Sequence, residues 1–261
     1  MNHRIYLDNA ATTQMSEAVK QEMEPYLLQD FGNASTAYSY GEEAKTAIEH
    51  ARKIIAESLE AKPGEIYFTS GGSESDNWAI KCIAGERKGK GKHIITSSIE
   101  HHAILNSCAY LEELGYEVTY LNVDENGMVS PEEVRRAIRP DTTLISVMFG
   151  NNEVGTIEPI MQIGRIAREN GVLFHTDAVQ AYAQVPISVR AYPIDLLSAS
   201  AHKFHGPKGT GFLYIREGIE IPSFIHGGSQ ESGKRAGTEN VPGIVGMGKA
   251  AEEAFRNIRY R

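Results

Sequence analysis

Five short polar clusters in this 261-residue chain carry groups with chemistry to offer. They are Ser70-Gly71-Gly72-Ser73, Glu100-His101-His102, Gly150-Asn151-Asn152-Glu153, Asp177 to Gln180, and Ser200 to Gly206. In the first, glycines let the backbone approach an anion closely, and a helix through Glu74-Ser75-Asp76-Asn77 would aim its first N–H groups there. Gly72 and Ser73 thus form a seat for one phosphate group, Ser73 adding a hydroxyl donor. An ordinary capped turn explains the same residues equally well. No Gly-x4-Gly-Lys-Ser/Thr run is present, which disfavours a nucleoside triphosphate.

Asp177 ends an apolar strand, where a carboxylate can hold a cationic ring nitrogen by a charge-assisted bond. Its plainer role is a helix N-cap. His175 and Asp177, two apart on one strand face, also admit a metal, a weaker reading because neither Cys-x-x-Cys nor His-Glu-x-x-His occurs. Lys203 follows another apolar strand beside His202, His205 and a Gly-Pro turn. A desolvated amine among cationic neighbours loses basicity and attacks aldehydes. Taken alone, a lysine snorkelling from a strand end is the commoner case. His101 or His102 can lie on an aromatic ring and move protons near neutral pH. Asn152 and Gln180 are neutral hydrogen-bonders suited to a phenolic oxygen, or to capping loops. Phosphate seat, ring-nitrogen partner, phenol partner, stacking face and aldehyde-capturing amine together describe a site for pyridoxal 5′-phosphate.

Groups so scattered need a scaffold that gathers them. Apolar runs at 66–69, 93–97, 118–122, 144–149, 172–176, 196–199 and 211–215 predict strands. Between them lie helical stretches at 103–114 and 160–170, the second closed by Gly171 as a C-terminal cap. Ala44, Ile48, Ala51, Ile55 and Leu59 form a helical stripe over 41–59. Buried strands alternating with helices predict an α/β fold, a mostly parallel sheet with helices on both faces. In such sheets ligands bind beyond the carboxyl ends of the strands, where all five clusters fall.

The whole-chain balance narrows the partners. A net charge of −8 offers no basic surface for nucleic acid or anionic lipid. The short Gly-Lys run from Lys88 to Lys92 reads as a solvated loop. No stretch of about 18 apolar residues is available to span a bilayer, and no apolar signal core follows Met1. Two cysteines, Cys82 and Cys108, are too few for a disulfide framework, so the cytoplasm is the expected compartment. Neither repeat nor linker interrupts the chain.

The motifs resemble those of the NifS/IscS-type cysteine desulfurases, class V aminotransferases of fold type I. The resemblance is carried by YLDNAATT at 6–13, GNAS at 32–35, FTSGGSESDN at 68–77 and EHHAIL at 100–105, followed by NNEVGTIEPI at 151–160, HTDAVQA at 175–181, SAHKFHGPKGTG at 200–211 and RAGTENVPGI at 235–244. It implies that Lys203 bonds covalently to the cofactor, Asp177 faces its ring nitrogen, and His101 stacks on it and assists proton transfer. It also implies that Asn152 and Gln180 bond near the phenolic oxygen, and that Gly72, Ser73, Ser200 and His202 hold the phosphate. Thr238 would reach the cofactor of a second subunit, which implies a homodimer. Ser73 stands where threonine is common, and Ser229 where glycine is.

By the same resemblance residues 1–15 belong with a small domain and 16–261 form the large, cofactor-binding domain. The C-terminal small domain, with its nucleophilic cysteine loop and substrate-carboxylate arginine, is expected to be missing. Cys82 and Cys108 fall in helices and do not replace that cysteine. The implied parent reaction converts L-cysteine to L-alanine and passes sulfur to an acceptor such as an iron–sulfur scaffold protein or a thiolation pathway. The alternatives are a non-catalytic cofactor-binding fragment, a selenocysteine lyase, or another class V enzyme.

Overall fold

The computed structural model describes residues 5–258. Seven strands, β1 (Ile66–Thr69), β2 (His93–Ser97), β3 (Glu117–Leu121), β4 (Thr142–Ser146), β5 (Leu173–Asp177), β6 (Leu196–Ser200) and β7 (Gly211–Ile215), form one sheet in the order β1-β7-β6-β5-β4-β2-β3. Only the pairings of β7 are antiparallel, so β1 runs in the same direction as β6. The carboxyl ends of β1, β2, β4, β5 and β6 therefore share one edge of the sheet.

Successive residues of each strand point to opposite faces, and here both faces are dry. Ile95, Ile145, Phe174, Leu197, Phe212 and Tyr214 join one buried cluster, while their neighbours Ile94, Leu144, Leu173, Leu196, Leu213 and Ile215 join the other. The first face is covered by α3 (Ser39–Ser58) and α9 (Val241–Ile258), which pack on each other, with α1 (Glu17–Met23), α2 (Pro25–Leu28) and α8 (Ile160–Glu169) beside them. The stripe Ala44, Ile48, Ala51 and Ile55 is the buried side of α3. The second face carries α4 (Gly72–Asn77), a π-helical turn at Trp78–Cys82, α5 (Ile83–Glu86) and α6 (His102–Glu113), while α7 (Pro131–Ala137) packs against α8. Gly171, at φ +64°, terminates α8 in the left-handed conformation that glycine adopts without strain.

Four strands have bounds that differ from expectation. The run 144–149 leaves the regular ladder after Ser146, although Val147, Met148 and Phe149 stay buried. An apolar run records burial, and burial continues there into the loop that leads to Gly150. The runs 118–122 and 172–176 are each shifted by one residue, to Glu117–Leu121 and Leu173–Asp177, and 196–199 extends by one to Leu196–Ser200.

Both histidines inside the sheet are fully partnered, while the Thr96 and Thr176 hydroxyls are buried without a partner. His93 bonds Thr142 and Thr119 through its two ring nitrogens, and His175 bonds Ser146 and Ser198. Burial depresses the His175 pKa to about 3, so the ring is neutral. Among the described residues no helix is long and apolar enough to cross a membrane.

Candidate functional site

A cavity of about 220 Å3 opens at the shared carboxyl edge. Gly72 and Ser73 from α4, His101, Asn152, Asp177 and Gln180, and Ser200, His202 and Lys203 all line it. These are the residues that the sequence singles out, and separate elements deliver them to one place. Thr238 is the exception: it is exposed and does not line the cavity. Its loop is anchored by Arg52 bridging to Glu231 (Nη2–Oε1 2.8 Å) and Arg235 to Glu74 (Nε–Oε1 2.8 Å).

Lys203 ends a single 3-10 turn, Ala201–Lys203, directly after β6. Partial burial lowers its pKa from the ordinary lysine range, against the attraction of Asp177, Asp8 and Glu153. Its Nζ donates to the carbonyls of Ala10 and Ala11. The rest of the turn is clamped by the same distant segment. Thr13 donates through its N–H and its hydroxyl to the His202 carbonyl (2.9 and 2.8 Å), and its Oγ1 accepts from the His205 N–H (2.7 Å). Thr12 Oγ1 lies 3.1 Å from His202 Nδ1, and Ala11 itself lines the cavity.

Asp177 is the last residue of β5 and is 4% exposed. Its Oδ1 accepts the Val179 N–H at 2.8 Å, so it does cap the turn that follows while also facing the cavity. Burial raises its pKa, with the Val179 N–H, His101 and Lys203 pulling the other way. His101 Nδ1 caps α6 by accepting the Ala103 N–H, leaving the rest of the exposed ring at the cavity. The Gln180 side-chain oxygen is buried without a partner. Asn152 Nδ2 donates to Glu153 Oε1 at 2.8 Å.

Gly72 is required by packing as much as by any anion. A Cβ there would meet Val179 Cγ2 at 2.5 Å, beside Ser200. The metal reading of His175 with Asp177 loses a ligand, because both His175 nitrogens are committed to serine hydroxyls.

Sequence reasoning gave no role to Asp76, Glu100, Met148 or the Ala11 segment. Asp76 lines the cavity at 1% exposure. Its signal was present: it lies on the same helical stripe as Gly72, Ala79 and Ile83, where an acid has no place unless something receives it. Glu100 Oε1 accepts from Ser97 Oγ (2.6 Å) and from the Met148 N–H (2.9 Å), tying the loop that bears His101 to the end of β4. Burial pushes its pKa up to about 8.

A family model, "Aminotransferase class-V", matches residues 5–260. The chain belongs to the class-V aminotransferase family. Among its relatives, "Cysteine desulfurase IscS" of Methanosarcina thermophila is 61% identical over 257 residues, covering 98% of this chain and 64% of that protein. The protein of the same name from Dictyoglomus turgidum is 56% identical, covering 98% and 65%. This class-V chain therefore spans under two thirds of the length of these curated relatives. Among solved structures, a "NifS-like protein" superposes with a TM-score of 0.96 at 43% identity, covering 99% of this chain and 71% of that one. "SspA in complex with cysteine" gives 0.93 at 47%, covering 95% and 72%.

The class-V cavity suits a phosphorylated aromatic cation bearing an aldehyde. It offers an amine of lowered basicity, a carboxyl at a strand end, an unpartnered amide oxygen and a Gly-Ser helix start. Both thiols lie elsewhere on helical turns. Cys108 is fully buried, more deeply than its place in a helix alone implied, and Cys82 is half-buried. Burial raises their pKa values to about 12 and about 11.

Proposed function

We propose that this chain is the pyridoxal-phosphate-binding part of a cysteine desulfurase, which takes sulfur from L-cysteine, leaves L-alanine and passes the sulfur to an acceptor protein. The observation that carries the reading is the convergence of Lys203, Asp177, His101 and Gln180 with the Gly72-Ser73 helix start on one cavity. The names of the relatives support the reaction class, and the cysteine complex of the SspA structure supports the substrate. A homodimer, with Thr238 reaching the second site, and a cytoplasmic setting with an iron–sulfur scaffold as acceptor complete the reading.

In this assignment Lys203 binds the cofactor covalently and Asp177 faces its ring nitrogen. Gly72, Ser73, Ser200 and His202 hold its phosphate. Gln180 and Asn152 stand near its phenolic oxygen. Bound pyridoxal phosphate would supply an electron sink for charge developing at the substrate α-carbon. Lys203, with its basicity lowered by burial, is suited to take a proton from that carbon and return one. His101, which caps α6 and lines the cavity, is placed to hold a proton there. Residues 1–15 are assigned to a small domain and 16–261 to the large one.

The test is to add pyridoxal phosphate, trap it with borohydride and map the label by mass spectrometry. Label at Lys203, lost in Lys203→Ala, is expected. Label on another lysine, or unchanged labelling of Lys203→Ala, overturns the assignment.

A further inference from the structure

The cavity lining includes an acid that the reaction as proposed does not use. Asp76, on α4, is 1% exposed, and its carboxyl oxygen lies within 4.8 Å of a carboxyl oxygen of Asp177 and of a ring nitrogen of His101. Asp76 Oδ1 has no hydrogen-bond partner among the described residues, and its nearest cationic candidate, His175 Nε2, is 3.8 Å away. That histidine is neutral and already bonded to two serines. Glu100 adds a third buried carboxyl to the surroundings.

Each element packed around Asp76 can be asked for a compensating charge. From β5 come Asp177 and neutral His175, from the loop before α6 come Glu100 and His101, and from β6 comes the Ser198 hydroxyl. Lys203 acts on Asp177. Two carboxylates this close in a dry site cannot both ionise, and a proton shared between them settles on the one further from any cation. His101 lies near both acids, but Asp177 alone feels Lys203, so Asp76 keeps the proton. Burial, then the Asp177 charge, raises the Asp76 pKa well above the usual aspartate range.

We propose that Asp76 is a positioning residue of this pocket: its neutral carboxyl donates a hydrogen bond to Asp177 and keeps Asp177 the single anion facing the cofactor ring nitrogen. The inference rests on the pyridoxal phosphate reading above, and it adds a residue to which that reading gives no role. A donor aimed at Asp177 favours its ionised form and fixes which oxygen is left for the ring. An ionised Asp76 would do the reverse. It would repel Asp177 and drive it to take up a proton.

Asparagine is the discriminating substitution, because its amide also donates to Asp177 but cannot ionise. The 261-residue chain without cofactor is first compared with Asp76→Asn by infrared difference spectroscopy at pH 7. A carboxylic-acid C=O band present in the wild type and lost in the variant is expected. Pyridoxal phosphate is then titrated by fluorescence across pH into the wild type, Asp76→Asn and Asp76→Ala, with melting curves recorded for each.

Asp76→Asn should hold the cofactor within about twofold of the wild type, with the acid limb of the binding curve unmoved. Asp76→Ala should bind about tenfold more weakly at pH 7, with the acid limb moved about one unit upward, because Asp177 then protonates more easily. Absence of the acid band overturns the inference, whatever the cofactor does. So does an acid limb that moves downward in Asp76→Asn, the result of deleting an anion. An alanine variant that melts earlier with its acid limb unmoved shows Asp76 to be mere packing and overturns it as well. If the wild type takes up no cofactor, the function proposed above fails, and the infrared band still decides whether Asp76 holds a proton.

Discussion

His175 and Asp177 stand two residues apart on one face of β5, at 0% and 4% exposure. The middle of the strand and its carboxyl end use that burial in opposite ways. His175, like His93 in the same sheet, has both ring nitrogens engaged, and nothing about it is left to offer. At the edge, Asp76, Glu100 and Gln180 each keep a buried oxygen without a partner. Depth of burial therefore does not mark a functional polar group. Unspent hydrogen-bonding capacity next to a cavity does, because the fold has met the cost of desolvation without collecting the bond.

The contrast can be broken first at its interior. His175→Ala removes a buried ring and strands two serine hydroxyls, so it should cost about 4 kcal/mol of stability in denaturant unfolding. A loss below about 1 kcal/mol would mean that the interior layer is as loosely satisfied as the edge.

At the edge the balance should reverse. Asp177→Asn keeps the cap on Val179 and loses a carboxyl that burial disfavours in its charged form, so the melting temperature should hold or rise. Pyridoxal phosphate affinity should fall about tenfold to a hundredfold, the worth of one charge-assisted bond. Unchanged affinity in a fluorescence titration would leave Asp177 a turn cap and nothing more.

Two buried groups give the protein opposed pH limbs. Glu100 titrates near 8 when folded and near 4.5 when unfolded, so the folded state binds the extra proton and stability falls as pH rises between those values. His175, near 3 folded and 6.5 unfolded, makes stability fall as pH drops from 6.5 toward 3. Glu100→Gln should remove the first limb alone. Its stability relative to the wild type should climb by up to about 1.4 kcal/mol per pH unit from 4.5 to 8. A constant difference across that range would show Glu100 ionised in the fold.

The smallest effects belong to the thiols. With pKa values raised to about 11 and 12, Cys82 and Cys108 should react slowly with a thiol reagent at pH 7, Cys108 the slower. Alanine at either position should leave pyridoxal phosphate binding unchanged. Fast labelling of Cys108 in the native state would reveal an opening of the α6 side that the packing does not show.

Much of this was legible in the residues because strand ends announce themselves. An apolar run followed by Asp177, by Ser200 to Lys203 or by Gly71 to Ser73 locates both a strand and the side chain that leaves it. Two kinds of information were not local. Asp76 stands on the apolar stripe of its helix, but only the docking of α4 shows that Asp177 and a cavity receive it. The run 144–149 shows burial but cannot show where the ladder ends, which depends on neighbouring strands. The role proposed for Thr238 involves a second subunit, which no intrachain contact could reveal.

The clamp on the lysine turn has a consequence for how the molecule is made. Thr13 and Ala10 grip His202, Lys203 and His205 across 189 to 193 residues of chain. A polypeptide leaving the ribosome at about 5–20 residues per second holds those early positions idle until the lysine turn and β7 have emerged. Nothing near them in sequence can substitute, and closing so long a loop is among the slower steps a chain takes. The aldehyde capture proposed for Lys203 thus waits on a turn that these distant segments clamp together. A nascent chain labelled at Lys203 has already brought Ala10 and Thr13 to the turn after β6.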